Sequence, residues 1–329
     1  MFNFIKLMFL FMLTLSTLIA ISATSWIGMW MGMEMNLMAF IPLISKSKNK
    51  KSSQAMITYF LVQSISSIIF LFSILISKFI VISPNFMNET LNLLMMISLL
   101  IKLGAAPFHK WLPEMMTNLN WMEIFILSTW QKIIPLYVLS NMINHKIMII
   151  SVILSAIIGA IGGINTSSMR KIMAYSSINH MSWMLVIMIS QPQWYNYLLL
   201  YSFMMLIVCL TFNQNNFLFI NQAMNNESTM TKLMISSMML SMGGMPPFIG
   251  FLPKWMALQS MINNQMLIIM MVMIMMSMMT LFYYMRMISS MMMFYSTFNK
   301  WSYKNNNMNN YMLLILNLNL PMFSILSFF

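Results

Sequence analysis

Lys102, Lys132, Lys254 and Glu34 each lie inside an apolar run where a membrane helix ordinarily carries no charge. A lysine placed centrally in a transmembrane helix costs about 2.5–3.5 kcal/mol on insertion, and neither bundle stability nor topology requires that cost. The chemistry these side chains can do unaided is to take up and release protons. Lys132, in WQKIIP, stands about ten residues from each end of its run, so it is the hardest of the three to explain by an amine reaching up to the headgroups. Lys254, in a longer run, is the easiest to explain that way. Glu34 is the matching acid, in WIGMWMGMEMNLMAFIPLI. A lone buried carboxylate becomes protonated or finds a cation, and Lys102 is the nearest such cation along the chain. His180, in SSINHMSW, fits either a hydrogen-bonded core histidine or a proton relay.

Other polar residues suggest less. Glu89, Glu114, Glu123 and Glu227 fall in loops or at span ends, where solvation or helix capping explains them. His109 and Glu114 are separated by a proline and lack the i, i+4 spacing of a helical metal site, so no metal is expected. The single cysteine, Cys209, can form neither an internal disulfide nor a cysteine cluster. Nothing suggests a nucleotide fold, haem ligation or an iron–sulfur centre, so no cofactor is expected in this chain.

The elements that hold these residues follow from composition. Of 329 residues, 60% are hydrophobic and 7% charged, far from the roughly 25% charged residues of a soluble domain. A polytopic membrane protein is expected. The net charge of +12 does not indicate nucleic-acid binding, because the basic residues are scattered singly and form no stripe interleaved with aromatics. The 49 methionines read as a generic helix-forming hydrophobe.

Hydrocarbon about 30 Å thick needs roughly 20 mostly apolar residues per helix. That ruler predicts about eleven spans, near 3–22, 26–45, 56–76, 90–106, 122–141, 147–165, 172–190, 195–220, 232–261, 265–290 and 310–328. The expected fold is all-α: one polytopic helical bundle over 1–329, with approximate repeats at 1–141 and 147–290 and an extra C-terminal helix at 310–328. The first run resembles a signal peptide but is long enough to cross, so it is expected to be retained.

Eleven crossings sort the basic residues by side. Lys6, Lys46, Lys48, Lys50, Lys51, Lys110, Arg170, Lys171, Lys232, Arg286, Lys300 and Lys304 fall on the side of the N-terminus, and only Lys78 and Lys146 on the other. That asymmetry places the N-terminus in the cytoplasm or its mitochondrial equivalent, the matrix. The three lysines left over are Lys102, Lys132 and Lys254.

GAAPFHKWLP, from Gly104 to Pro113, and GMPPFIGFLP, from Gly244 to Pro253, share G-x-x-P-F-x-x-x-L-P at a separation of 140 residues. Proline and glycine interrupt a helix, and broken backbone at membrane depth is tolerated only where protein or water satisfies it. Paired interruptions in two halves suggest an inverted-repeat transport machine with ion sites at its broken helices. In the topology above, Lys102 precedes its break and Lys254 follows its own, which puts both on the side opposite the N-terminus.

WIGMWMGMEMNLMAFIPLI, KLGAAPFHKWLPE, WQKIIP, GGINTSSMRKIMAYSSINHMSWM and GGMPPFIGFLPKW, in this order over about residues 26–260, resemble the mitochondrial NADH dehydrogenase subunit 2 family, antiporter-like membrane subunits of respiratory complex I. The resemblance implies a proton-translocating module of two inverted five-helix repeats with discontinuous helices, in the mitochondrial inner membrane. By it, the family's Glu–Lys pair falls on Glu34 and Lys102, its central lysine on Lys132 and its terminal channel lysine on Lys254. The chain would be a subunit of an H+-translocating NADH:ubiquinone reductase, surrounded by membrane lipids and other complex I membrane subunits. NADH, FMN, iron–sulfur clusters and ubiquinone would belong to the rest of the assembly. The resemblance also implies that, relative to longer bacterial relatives, the chain lacks the first three helices. A stand-alone cation/proton antiporter and a purely structural membrane subunit remain open as alternatives.

Overall fold

A computed structural model describes residues 4–45, 50–79, 84–142, 145–191, 193–220, 222, 229–293 and 317. The described residues form helices: α1 Phe4–Ser22, α2 Trp26–Ile44, α3 Lys50–Phe79, α4 Pro84–Leu103, α5 Trp111–Asn118, α6 Trp121–Ser128, α7 Trp130–Ser140, α8 His145–Ile164, α9 Met169–Ser190, α10 Trp194–Gln214, α11 Thr229–Gly243, α12 Phe251–Asn263 and α13 Leu267–Met293. Among the described residues the one β contact is an isolated bridge between Ser168 and Phe219. Lys46, Lys48, Glu227, Lys300, Lys304 and, apart from Asn317, the expected span at 310–328 lie outside the described residues.

Eight described stretches are long and apolar enough to cross a membrane: 4–22, 26–44, 50–77, 121–140, 146–164, 169–190, 194–214 and 267–290. This is a multi-pass membrane protein. The expected fourth and ninth spans break at their glycine-proline segments, into α4 and α5 and into α11 and α12. The side-chain pattern is that of a bundle in lipid. Ile57, Leu61, Ile65, Ile68 and Phe72 form an exposed stripe along α3, and Ile268, Met271, Met275, Met278, Phe282 and Met285 form another along α13. The interior takes the polar residues: α9 is almost wholly buried and carries Ser176, Ser177, Asn179, His180 and Ser182.

The chain divides into two compact units, Met1–Ser151 and Val152–Phe329. In the first, α1 packs on α2, and α3 contacts α2, α4 and α5, while α7 lies against α2 and α4. In the second, α9 lies against α10 and α12, and α13 against α11 and α12. The ends of the second unit are marked by polar contacts. Arg286 donates to the carbonyl oxygens of Ile164 and Thr166, close to the Ser168–Phe219 bridge. At the other end Asn264 Nδ2 donates to the Ser190 carbonyl at 2.9 Å.

Two boundaries differ from the expectation. The segment 107–121, expected as a loop, contains α5, whose Trp111, Leu112, Pro113, Met115 and Met116 are buried; α5 packs on α3 as the second half of a discontinuous helix. The span expected at 122–141 is not one helix but α6 and α7, parted at Thr129. Pro135 supplies no N–H for the Gln131 carbonyl, and its ring crowds that carbonyl. The chain answers one turn earlier: Thr129 sits at φ −118°, ψ −68°, Lys132 N–H donates to the Thr129 carbonyl at 3.2 Å, and Thr129 Oγ1 bonds back to the Phe125 carbonyl at 2.7 Å. Back-bonding of this kind bends helices.

Candidate functional site

The two G-x-x-P-F-x-x-x-L-P segments fold alike. Gly104 and Gly244 have φ of +68° and +79°, the left-handed conformation that glycine adopts at low cost. Gly104 N–H bonds the Ile101 carbonyl at 3.1 Å and Ala105 N–H the Leu100 carbonyl at 3.1 Å. In the second segment Gly244 N–H bonds Ser241 at 2.9 Å and Met245 N–H bonds Leu240 at 3.2 Å. This pair of bonds is the Schellman termination, which satisfies the last carbonyls of a helix. Each segment adds a bond from the phenylalanine N–H, Phe108 to Ala105 and Phe248 to Met245, and then starts a new helix. A sequence repeat has become a structural one.

The three intramembrane lysines are all buried, with Lys102, Lys132 and Lys254 exposed by 7%, 3% and 6%. None reaches for the headgroups. Lys102 lies in the last turn of α4, where a cation meets the negative end of the helix dipole. Its Nζ rests 3.5 Å from Met33 Sδ, and its carbonyl accepts from Gln63 Nε2 at 3.3 Å. Glu34 is the next residue after Met33 on α2. The expected Glu34–Lys102 pair is therefore a proximity rather than a hydrogen-bonded contact: Glu34 Oε1 is buried with no hydrogen-bond partner.

Lys102 and Lys132 line one cavity of about 20 Å3, whose wall also includes Asn36, Tyr59, Gln63, Gln131 and the apolar Met33, Leu37 and Trp111. A space of that size admits a water molecule. Lys132 comes to it from the first turn of α7, directly after the Thr129 break. Asn36 Nδ2 donates to Gln131 Oε1 at 2.9 Å, Gln131 Nε2 returns a bond to Asn36 Oδ1 at 3.2 Å, and Tyr59 Oη donates to Gln131 Oε1 at 3.0 Å. These three polar residues were not among the sequence candidates. The signal they left was only Asn36 two residues after Glu34, and Gln131 one before Lys132.

Lys254 is built differently. It lies in the first turn of α12, the positive end of that helix, but its side chain folds back across the break. Nζ donates to the Gly243 carbonyl at 2.5 Å, so the amine sits at the C-terminus of α11, where the dipole favours a cation. It also stands 5.9 Å from the centre of a Trp183 ring. A Cβ on Gly244 would lie 2.6 Å from Lys254 Cδ, so the glycine makes room for the lysine.

His180 is buried in α9, with Nδ1 2.8 Å from Tyr197 Oη and its ring 4.7 Å from that of Tyr201. The Tyr197 hydroxyl is thus a hydrogen-bond partner for the ring, compatible with either a core histidine or a relay. Glu123 closes a capping box at the start of α6, its Oε2 accepting from Asn120 N–H at 2.9 Å. Cys209 is a buried free thiol. Among the described residues no group of three His, Cys, Asp or Glu side chains gathers.

Lysines buried in a helical membrane bundle, two of them beside glycine-proline breaks that expose polar backbone, define an ion-translocating membrane protein with discontinuous helices. The comparisons with known proteins make that class specific. Residues 23–280 match the family model described as NADH:quinone oxidoreductase/Mrp antiporter, transmembrane, and the chain belongs to this family. NADH-ubiquinone oxidoreductase chain 2 of Anopheles gambiae is 44% identical over 258 residues, covering 77% of this chain and 76% of that one. The protein of the same name from Locusta migratoria is 41% identical over 270 residues, covering 80% and 78%. A chain in a structure of respiratory complex I from Thermus thermophilus with bound aureothin shares the fold at a TM-score of 0.84 and 18% identity, over 98% of this chain and 79% of that one.

Proposed function

We propose that this chain is a proton-translocating membrane subunit of NADH:ubiquinone oxidoreductase, respiratory complex I, in the mitochondrial inner membrane with its N-terminus on the matrix side. NADH, FMN, iron–sulfur clusters and ubiquinone are handled by other subunits, and this chain turns their conformational or electrostatic signal into proton movement. Its partners are the other membrane subunits of the complex and the surrounding lipid. The observation that carries the reading is the cavity shared by Lys102 and Lys132 in the first unit, in a chain 44% identical to a curated oxidoreductase subunit.

Within it, Glu34 modulates the charge of Lys102, Lys132 receives the proton, and Lys254 is the exchanging group of the second unit, with His180 and Tyr197 as a further relay. Moving one charge against a membrane potential costs about 2.3 kcal/mol per 100 mV. Removing a hydrogen bond or a neighbouring charge from a buried amine changes its proton affinity by a comparable energy, so such groups act on the scale required. Local copies of one break in the two units favour the inverted-repeat architecture of transporters.

The test is proton translocation and NADH-linked quinone reduction by the assembled complex in sealed vesicles. Lys132→Met is expected to slow translocation by about a hundredfold or more, the lower range for a lost acid–base group, and Glu34→Gln by less. Native translocation in both variants overturns the assignment.

A further inference from the structure

Gln131 has no proton to give at physiological pH, yet three side-chain hydrogen bonds converge on it at the cavity wall. Its Oε1 accepts from both Asn36 Nδ2 and Tyr59 Oη, and its Nε2 donates to Asn36 Oδ1. Three helices meet there: α2 through Asn36, α3 through Tyr59 and α7 through Gln131. The reciprocal amide pair locks the orientation of both carboxamides. Because Tyr59 gives its hydroxyl proton to Gln131, its oxygen is left able to accept. The Tyr59 ring cannot drift, since Phe40 packs edge-on at 5.1 Å and Trp111 lies at 6.4 Å. Gln63, the other carboxamide on the wall, is engaged by the Lys102 carbonyl.

The cavity these groups line also holds Lys102 and Lys132. A buried water is stable where it finds two to four polar partners. Lys102, Lys132 and Tyr59 are the polar wall residues that can supply them, and the bond to Gln131 fixes the Tyr59 oxygen.

We propose that Gln131 is a positioning residue which, with Asn36 and Tyr59, orients one water molecule through which a proton passes between Lys102 and Lys132. In that step an N–H bond of the Lys102 ammonium breaks as an O–H bond forms on the water. An O–H bond of the same water breaks as an N–H bond forms on the neutral Lys132 amine. Charge moves from one lysine to the other, and the water is regenerated. Asn36 stands two residues from Glu34 on α2, so a shift of the glutamate's helix reaches the water through the amide pair. The inference rests on Lys102 and Lys132 as the proton-carrying groups.

The experiment uses the assembled complex in sealed vesicles and measures the rate of NADH-driven proton translocation per complex, with its solvent deuterium isotope effect. Replacing the pair together, Gln131→Met with Asn36→Leu, removes both polar partners at once, which leaves fewer orphaned groups than either single change. The expected result is translocation slowed about tenfold, the loss of roughly one to two hydrogen bonds' worth of stabilisation, with a raised isotope effect. The swapped pair, Gln131→Asn with Asn36→Gln, restores the reciprocal amides and is expected to return most of the rate. Helix packing alone does not distinguish swapped from apolar pairs in rate or isotope effect. Tyr59→Phe, which deletes one oxygen and keeps the ring contacts, is expected to slow translocation about threefold with the same isotope signature, and it decides the matter if the double variant does not assemble. A native rate and isotope effect in the apolar pair, or in Tyr59→Phe where that pair is not assembled, overturns the positioning role. If Lys132→Met is inactive alongside, the lysine reading stands without it. A native rate in Lys132→Met overturns both.

Discussion

The breaks at Gly104 and Gly244 share their backbone and differ in their charges. Both end a helix with the same two Schellman bonds and a left-handed glycine. Both also bring an ammonium to the negative end of the half-helix that stops there. In the first, Lys102 is already part of the last turn of α4. In the second, the amine comes from the far side, Lys254 folding back from α12 to the Gly243 carbonyl. The position ten residues after the glycine is Glu114 in one and Lys254 in the other. The electrostatic requirement is thus met by two covalent routes. What is common is the dipole end, and what varies is which helix supplies the cation.

The second break is also closed more tightly. A Cβ at Gly250 would fall on the Ser241 carbonyl oxygen, backbone that cannot rotate away, whereas the matching residue of the first break is the exposed Lys110. Gly250→Ala is therefore expected to cost about 4 kcal/mol or more through overpacking and to remove the subunit from the assembled complex. Lys110→Ala is expected to stay within about 0.5 kcal/mol. Equal amounts of both variants in purified complex would break the contrast.

A smaller effect separates the lysines. Lys254→Met leaves the buried Gly243 carbonyl without its donor, a loss of about 1–3 kcal/mol, read as a lower melting temperature of the complex. Lys102→Met removes a buried cation whose Nζ lies against a thioether, and paired with Glu34→Gln, which removes the nearby acid as well, it is expected to leave stability unchanged or raised. Translocation falls in both, so it is the melting temperatures that test the difference. The smallest expected effect is that of Glu114→Lys, which gives the first break the residue of the second. Glu114 is exposed in the first turn of α5, where a carboxylate complements the dipole by about 0.3–1 kcal/mol. A loss beyond that range in the melting temperature of the complex would mean that Glu114 does more than complement the helix end.

Much of the arrangement was legible in the residues. The repeat G-x-x-P-F-x-x-x-L-P located both breaks because glycine and proline act on the backbone within a few residues of themselves. The three lysines stood out because an apolar run makes any charge conspicuous. The bend at Thr129 was missed although Pro135 announces it; the run from Trp121 to Ser140 keeps its apolar character through the interruption. The helix at 111–118 was missed for the opposite reason, because a short amphipathic segment after two prolines reads as a loop until α3 is there to bury it. Glu34 and Lys102 were expected to pair, and the fold instead puts Met33 against the amine. Hydrophobicity says that two charges share an interior, but not which atoms touch.

The sequence by itself determined the order of the described spans, the two glycine-proline interruptions and the placement of a charge beside each, since these depend on local propensities and on the cost of burying backbone and ions in hydrocarbon. Only the tertiary structure decided that Asn36 and Gln131, 95 residues apart, join as one amide pair under Tyr59, that Lys102 and Lys132 open on one cavity, and that Lys254 turns back to cap α11. Single polar residues in long apolar helices have many possible partners. Packing selects among them, because a buried donor left without an acceptor costs more than almost any alternative the chain can reach.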